Sequence, residues 1–573
     1  MNNRDVSTVF DTVADLLEIK GESVYKVLAY RRVAESLRAL TQDIEVMWRE
    51  GRLREIPGVG EAIGEKLDEL LRTGNLGFYD RLAAEVPSGL VEVLRVSDVG
   101  PKKAARFWKE LGITNLDQLE SAAKQGRLRG LSGMGERSEA RILQGIESLR
   151  RRASDRVSIG VALPVAEALV RRLRLLDEVA AADLAGSLRR WRETIGDIDL
   201  VVGSSRPADV MRAFLGFPEV KRVLGQGETK ASVELAGGLR VQLWVLSPER
   251  YGTALQYATG AQAHNVRLRE LAQSQGLSLS EHGFKLPGES AELLCATEEQ
   301  VYNALGLPWI PPELREDRGE IAAARDGRLP GLVAEADIRG ELHSHTDWSD
   351  GDATLQEMTA AAIEAGLQYL VISDHSQSLG VANGLTLERL RDQGRLLRQV
   401  QASLGERLRL LHGMEVEILA DGRLDFPDEV LASLDVVTAS LHSSLRQSRQ
   451  KATDRLLTAI RNPHIDLIGH PTGRMIGSRE GADLDMEAIF QAAAETGVVM
   501  EINSHPDRLD LDEIHTRRAL EAGCLLAVNT DAHRPDGFGL RRYGIGIARR
   551  GWATPQSVVN TWSVEELLKH VAA

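Results

Sequence analysis

Residues 1 to about 150 carry apolar positions in the rhythm of short helices broken by glycine turns, with no convincing strand among them. From about 154 to 226 the texture becomes mixed α/β. Apolar residues then alternate on either side of Gly237-Gly238, so 231–245 predicts a strand pair turned at those glycines. Residues 250–310 predict a further small α+β unit. Pro308-Trp-Ile-Pro-Pro312 and the charged, Gly-containing stretch to Asp337 predict a linker. Beyond it, short apolar runs alternate with amphipathic helices, for example at 355–365 and 486–496. Repeated β-α units imply parallel strands, and in barrels of that kind the chemistry collects at the carboxyl ends of the strands.

Those strand ends carry histidine. Eleven of the 13 histidines follow Ile338, most of them where an apolar run stops. The segments are Glu341-Leu-His-Ser-His345, Leu370-Val-Ile-Ser-Asp-His375, Val437-Thr-Ala-Ser-Leu-His442, Leu467-Ile-Gly-His470 and Ala527-Val-Asn-Thr-Asp-Ala-His533. Neutral nitrogen and anionic oxygen gathered in this way suit a multinuclear metal site. The last third of the chain therefore predicts a metalloenzyme.

A chain of 573 residues, 43% hydrophobic, is too long for one core and predicts three to five domains. Only Cys295 and Cys524 are present, which disfavours a disulfide-built secreted protein and fits a reducing cytoplasm. The amino terminus lacks an apolar signal core, and no stretch approaches the ~20 apolar residues of a membrane span, so no membrane partner is expected. A net charge of −14 argues against a wholly basic nucleic-acid binder. Residues 101–176, however, hold 16 Lys/Arg against 8 Asp/Glu, leaving about −22 on the remainder. A basic belt inside an acidic protein suits a local polyanion track, although a solvated helix face accounts for the charge equally well.

Three turns recur in the helical third: Ile56-Pro-Gly-Val-Gly60, Val96-Ser-Asp-Val-Gly100 and Leu131-Ser-Gly-Met-Gly135, each leading straight into a helix. Backbone N–H groups at such a helix start face outward toward an anion, and glycine permits its close approach. The pattern resembles the helix-hairpin-helix motif, which grips DNA phosphates without reading sequence. It assigns Gly58, Gly60, Val99, Gly100, Lys102, Lys103, Gly133, Gly135 and Arg137 to DNA binding. The middle copy departs, with Asp98 in place of the first glycine.

In the mixed region, Gly186-Ser-Leu-Arg-Arg190 precedes Glu193-Thr-Ile-Gly-Asp-Ile-Asp-Leu200. On a strand Asp197 and Asp199 face one side, where two carboxylates can bridge a pair of Mg²⁺ ions while a Gly-Ser turn and arginines hold triphosphate oxygens. These residues resemble the nucleotidyltransferase palm of family X DNA polymerases. Tyr257-Ala-Thr-Gly260, Asn265 and Arg269 are similar to that family's nucleotide-binding segment. Lys26, Tyr30 and Lys66 match its N-terminal small domain, where the lysine corresponding to Lys66 is the Schiff-base nucleophile of lyase members. The third hairpin and the C-terminal histidines resemble the bacterial type, fused to a PHP (polymerase and histidinol phosphatase) domain.

The resemblance covers essentially the whole chain and implies an order of domains. A small helical lyase-like DNA-binding domain with the first hairpin spans 1–90, and fingers with the other two hairpins span 91–153. An α/β nucleotidyltransferase palm spans 154–249 and a small α+β thumb 250–312. A linker follows at 313–337, then a distorted (βα)7-type PHP phosphoesterase barrel at 338–573. The implied palm site comprises Asp197 and Asp199 as catalytic metal ligands, with Gly186, Ser187, Arg190, Gly196, Tyr257, Gly260, Asn265 and Arg269 at the nucleotide. Mg²⁺ and/or Mn²⁺ and a dNTP would occupy it. The PHP resemblance supplies nine ligand positions and this chain fills all nine: His343, His345, Asp350, His375, Glu415, His442, His470, Asp531 and His533. Up to three divalent ions, Mn²⁺ or Zn²⁺, are implied. His412, His464, His505 and His515 fall outside the set, with His505 the best candidate for substrate contact.

Two departures matter. Where the family carries a third catalytic aspartate, this chain reads Arg240-Val-Gln-Leu243, so Gln242 stands in its place. A neutral amide neither ligates the primer-end metal well nor helps deprotonate the hydroxyl, which predicts weakened synthesis favouring Mn²⁺. Glu234 on the neighbouring predicted strand is a carboxylate that could reach the metal instead. Ala258 replaces an aromatic residue beside Tyr257 and could alter sugar discrimination. The expected activity is repair of gapped, nicked or primer-template DNA, combining gap filling with 3′-5′ exonuclease or end-processing hydrolysis, by a cytoplasmic, nucleoid-associated monomer. The alternatives are a metal-dependent nuclease whose polymerase-like region mainly holds DNA, a small-molecule phosphatase, and an architectural DNA-binding protein.

Overall fold

The computed structural model describes all of the chain except residues 1–2, 40–43, 95, 97–98, 155, 286–291 and 573. Asp98 of the middle hairpin lies outside the described residues. Two compact units are formed, Met1–Arg156 and Val157–Ala573.

The first unit is helical throughout, from Asn3–Lys20 to Glu136–Ser154. Its core is one apolar cluster that includes Phe10, Leu17, Leu67, Phe107 and Ile142. Each predicted hairpin is pinned from below by a buried apolar pair: Ile56 with Val59, Val96 with Val99, and Leu131 with Met134. In each, the second residue's N–H donates to the first residue's carbonyl, all at 3.0 Å. Gly58 and Gly133 take φ of +87° and +75°, the left-handed turn that glycine adopts without strain. Gly60 and Gly100 cap the helices Glu61–Thr73 and Pro101–Leu111 in extended conformation, and Gly58, Gly60, Gly100, Gly133 and Gly135 are exposed.

In the second unit the palm sheet comprises β1 (Ala181–Leu184), β2 (Ile198–Gly203), β3 (Val220–Gln226), β4 (Lys230–Leu235) and β5 (Arg240–Leu246), in the spatial order β1-β2-β5-β4-β3. Strands β4 and β5 form the expected hairpin, with Gly238 at φ +82°. The sheet is antiparallel except for the central pair β2 and β5, which run parallel and set Asp199 opposite Gln242. Helix Ile159–Leu173 packs beneath, its buried Ile159, Leu163 and Leu169 joining an apolar cluster that runs on into the C-terminal barrel.

The first half of the expected linker at 313–337 is instead packed. Leu314 and Ala324 belong to the thumb core, and Arg315 and Glu320 are fully buried. Arg315 bonds Glu298 at 2.5 Å and Glu320 bonds His264 at 2.5 Å. Buried charges of this kind require fixed partners, so the segment cannot be an open tether.

The barrel is a parallel seven-stranded sheet in sequence order: β6 (Gly340–Glu341), β7 (Tyr369–Ile372), β8 (Arg409–Glu417), β9 (Val436–Ser440), β10 (Leu467–Gly469), β11 (Val499–Asn503) and β12 (Leu526–Asn529). Predicted helices appear as Leu355–Glu364 and Met486–Thr496. Side-chain amides hold the seam between β6 and β12. Buried Asn560 donates to the Gly340 carbonyl and to Asn529, both at 3.0 Å, and accepts from the Val528 N–H at 2.7 Å. Just beyond, Ser344 and Ala532 form a parallel bridge. Asn560→Ala would orphan buried backbone groups on both seam strands at ~1–3 kcal/mol each. The barrel's urea midpoint is therefore expected to fall clearly below that of the parent while the helical unit's transition stays put.

Candidate functional site

Strand geometry delivers the nine sequence-predicted metal ligands to one barrel mouth. His343 and His345 leave the end of β6, with Asp350 on the loop after them, and His375 follows β7. Glu415 lies within β8, His442 and His470 follow β9 and β10, and Asp531 and His533 follow β12. All nine fall into four overlapping groups of close donor atoms: His345, Asp350, His375 and His533; His343, His345 and Glu415; His343, His470 and Asp531; and His375, Glu415 and His442. His470 and Asp531 hold φ of +28° and +52°, conformations that non-glycine residues keep only where surrounding structure imposes them.

Glu415 is the hub. Its oxygens lie 2.7 Å from His375 Nδ1, 2.9 Å from His470 Nε2, 3.2 Å from His442 Nε2 and 3.4 Å from His343 Nε2. Neither oxygen has a hydrogen-bond partner, nor do His343 Nε2 and both ring nitrogens of His345, although all are buried. Orphaned donor atoms converging from several strands are what a bound cation satisfies, and the imidazole–carboxylate set fits Mn²⁺ or Zn²⁺. Burial opposes charge on Glu415, but the imidazoles of His442, His343 and His375 outweigh it and hold the carboxyl well below its usual range. Burial likewise opposes charge on His343, yet Glu501, Glu415 and Asp531 raise it well above an ordinary imidazole. His345, buried against His533 and His375, is lowered to about 3.

A second row of carboxylates orients the rings, and most of it escaped the sequence reading. Glu501 accepts from His343 Nδ1 at 2.7 Å, from the His470 N–H at 2.5 Å and from Asn529 at 3.0 Å. Glu417 pairs with His442 Nδ1 at 2.7 Å and accepts from Ser443 Oγ at 2.6 Å. Each fixes the tautomer that turns Nε2 into the pocket. Asp374 accepts from Thr346, Ser349 and Gln393, tying down the loop that carries Asp350. The available signal was an isolated acid inside an otherwise apolar strand, as Glu501 is in β11. His412, His464, His505 and His515 join none of the four groups. His505 stays near the pocket, where burial lowers its pKa and Asp531 and His533 also act on it.

In the palm, Asp197 lies just before β2 and Asp199 on it. Gly186, at φ +61°, packs so tightly on Asp199 that a Cβ would come within 2.1 Å of Oδ2. Burial, then the charge of Asp197, pushes Asp199 up to about 7, a repulsion that a divalent cation between the two carboxylates would relieve. Gln242 donates from Nε2 to Asp197 Oδ2 at 2.5 Å, occupying an oxygen a metal would use. Glu234 does not substitute for the missing acid: it stands opposite Arg240 on β5, and its carboxylate is captured by Arg222 at 2.6 Å. Ser232 is the residue across from Gln242.

The remaining nucleotide candidates form one wall. Ser187 and Gly196 are half-buried on the two turns flanking Arg190, whose guanidinium bonds Glu316 at 2.9 Å and the Thr259 carbonyl at 2.7 Å. Asn265 donates to the carbonyls of Tyr257 and Gly260 at 2.8 and 3.2 Å, and Arg269 Nε reaches the Asn265 carbonyl at 3.3 Å. In the helical unit, Lys102 and Arg137 are exposed and Lys103 half-buried behind the hairpin turns. Lys26, Tyr30 and Lys66 gather on Phe78, which sequence inspection did not single out. Tyr30 stacks on its ring at 5.8 Å, while the ammonium groups of Lys66 and Lys26 lie 5.3 and 5.9 Å from its centroid.

Comparison with known proteins finds similarity to families along the chain. Family models match for a helix-hairpin-helix domain over residues 1–76, a SAM-like helix-hairpin-helix tandem over 90–148, a DNA polymerase beta thumb over 254–316 and a PHP domain over 341–505. Asp531 and His533 lie beyond the last of these and are brought to the site by the seam. A probable phosphatase of Thermoanaerobacter sp. (strain X514) is 30% identical over 40% of this chain and 94% of its own. DNA polymerase lambda of Arabidopsis thaliana is 24% identical over 55% of this chain and 62% of its own. The DNA polymerase/3′-5′ exonuclease PolX of Bacillus subtilis (strain 168) is 37% identical over 99% of both chains. With that identity along its full length, and with hairpin, thumb and PHP regions in the same order, the chain belongs to the PolX family of family X DNA polymerases with a C-terminal PHP domain.

Proposed function

We propose that the PHP barrel is a metal-dependent 3′-5′ exonuclease that processes DNA ends, and that the palm performs templated gap filling weakened by Gln242. The observation carrying the nuclease half is the set of buried, unpartnered donor atoms around Glu415. His343, His345, Asp350, His375, Glu415, His442, His470, Asp531 and His533 would hold up to three divalent ions. Such ions neutralise a phosphodiester, activate a water and stabilise the leaving oxygen. The chain's own contribution is to fix the ring tautomers through Glu501 and Glu417. In the palm, Asp197 and Asp199 would hold Mg²⁺ or Mn²⁺ with the dNTP against Ser187, Arg190, Tyr257 and Asn265. The hairpins would hold gapped or nicked DNA by its backbone, and Lys66 would serve as the lyase nucleophile beside Phe78.

No helix among the described residues is long and apolar enough to cross a membrane. We place the protein in the cytoplasm, at the nucleoid, as a monomer. A small-molecule phosphatase is disfavoured because three hairpins suit a polyanion and a small phosphate ester has no use for them.

His343→Ala and Asp531→Ala are each expected to lower exonuclease turnover on single-stranded DNA by about a hundredfold or more and to reduce bound metal measured by mass spectrometry. Unchanged degradation would place the nuclease elsewhere. Replacing Gln242 by Asp restores the third carboxylate, and primer extension with Mg²⁺ should then rise at least about tenfold, equivalent to ~1.4 kcal/mol of barrier. An unaltered rate would show that the amide is not what limits synthesis. Borohydride should trap a covalent adduct on abasic DNA with the parent and none with Lys66→Ala; equal trapping by both would remove Lys66 from the role.

A further inference from the structure

The turn that carries the palm's candidate triphosphate residues is seated on the PHP barrel. Between Ser187 and Asp197 the chain runs through Trp191, a non-glycine residue at φ +56°. Its ring fills the space over Gly546, where a Cβ would come within 2.6 Å of it, and stands edge-on to Tyr543 at 6.2 Å. The Arg542 guanidinium lies 5.6 Å from the same ring and bonds palm residue Glu167. All three barrel residues lie on helix Arg541–Arg550, the first α-helix after ligands Asp531 and His533. Two residues after Trp191, Glu193 pairs with barrel residue Arg474 at 2.7 Å.

At the carboxyl end of that helix, Arg550 is 2% exposed. Its Nη1 donates to the Arg190 carbonyl at 2.6 Å and to Glu316 at 3.1 Å, and its Nη2 to Glu513 at 2.9 Å. Glu316 also accepts from Arg190 Nε at 2.9 Å and pairs with Arg192 at 3.6 Å. Glu513 takes Arg318 at 3.4 Å and Arg192 at 3.9 Å. Four guanidinium groups thus gather on the carboxylates of Glu316 and Glu513, with Asp512 also close to Glu513.

We propose that the barrel is a working part of the palm's nucleotide site. Arg550 is a positioning residue that, with Trp191 as the wedge, fixes the backbone and side chain of Arg190 so that the turn meets a nucleoside triphosphate preformed. Removal of the Arg550 guanidinium would leave the Arg190 carbonyl without this donor and let Glu316 pull the Arg190 side chain away. This proposal rests on the palm being a nucleotide site.

The test uses the full chain, with dNTP·Mn²⁺ affinity measured by equilibrium titration in the parent, Arg550→Met, Arg550→Lys and Trp191→Leu. Thermal melting and PHP metal content are recorded for each. Arg550→Met is expected to weaken dNTP affinity about tenfold or more and to raise KM for dNTP in primer extension by the same factor with kcat little changed. Arg550→Lys should recover most of the loss. If Arg550→Met does not fold, Trp191→Leu carries the same expectation. Folded variants that bind dNTP within twofold of the parent would overturn the proposal, as would loss that tracks melting temperature in all three variants. If the parent binds no dNTP, or binds it equally well as Asp197→Ala, the nucleotide site itself fails and the brace falls with it.

Discussion

Burial of the Glu415 carboxylate is the constraint from which the barrel mouth follows. Both oxygens are shut away from water without a hydrogen bond, and such a charge is intolerable unless positive charge stands beside it. The chain supplies imidazoles on every side and second carboxylates behind them, so the rings stay upright whether they carry a proton or a metal. Protons and cations therefore compete for the same nitrogens, and metal loading releases protons. The positive φ angles of His470 and Asp531 belong to the same bargain, since rigid strands on both sides hold them where the cluster requires.

The palm obeys the same electrostatics with one negative charge removed. Burial, and then the charge of Asp197, raise Asp199, while the Gln242 amide donates to Asp197. Strands β2 and β5 run parallel, with Asp199 and Gln242 directly opposed. Glu234 has already been spent on Arg222.

Palm, thumb and barrel are continuous rather than strung together. Apolar residues of helix Ile159–Leu173 and of the barrel strands share one cluster, and Leu314, Arg315, Glu320 and Ala324 are buried between thumb and barrel. In this chain palm, thumb and barrel lie in one compact unit, with the Arg190–Glu316–Arg550 network joining palm and barrel.

The chain's linear order determined more of the site than of the fold's joints. Histidines that end apolar runs pointed to a metal site because a strand's carboxyl end is visible in the spacing; the set of nine came from the PHP resemblance, and the fold gathers those nine into four overlapping groups. The hairpins were equally plain, since glycine and a flanking apolar pair leave little conformational choice. Tertiary structure alone decided the pairings. It set Glu501 against His343, Glu234 against Arg222, Phe78 among Lys26, Tyr30 and Lys66, and buried a charged stretch that reads as a tether. Periodicity reports which face of an element avoids water. It is silent on which distant group meets a charge, because that depends on how the elements pack in space.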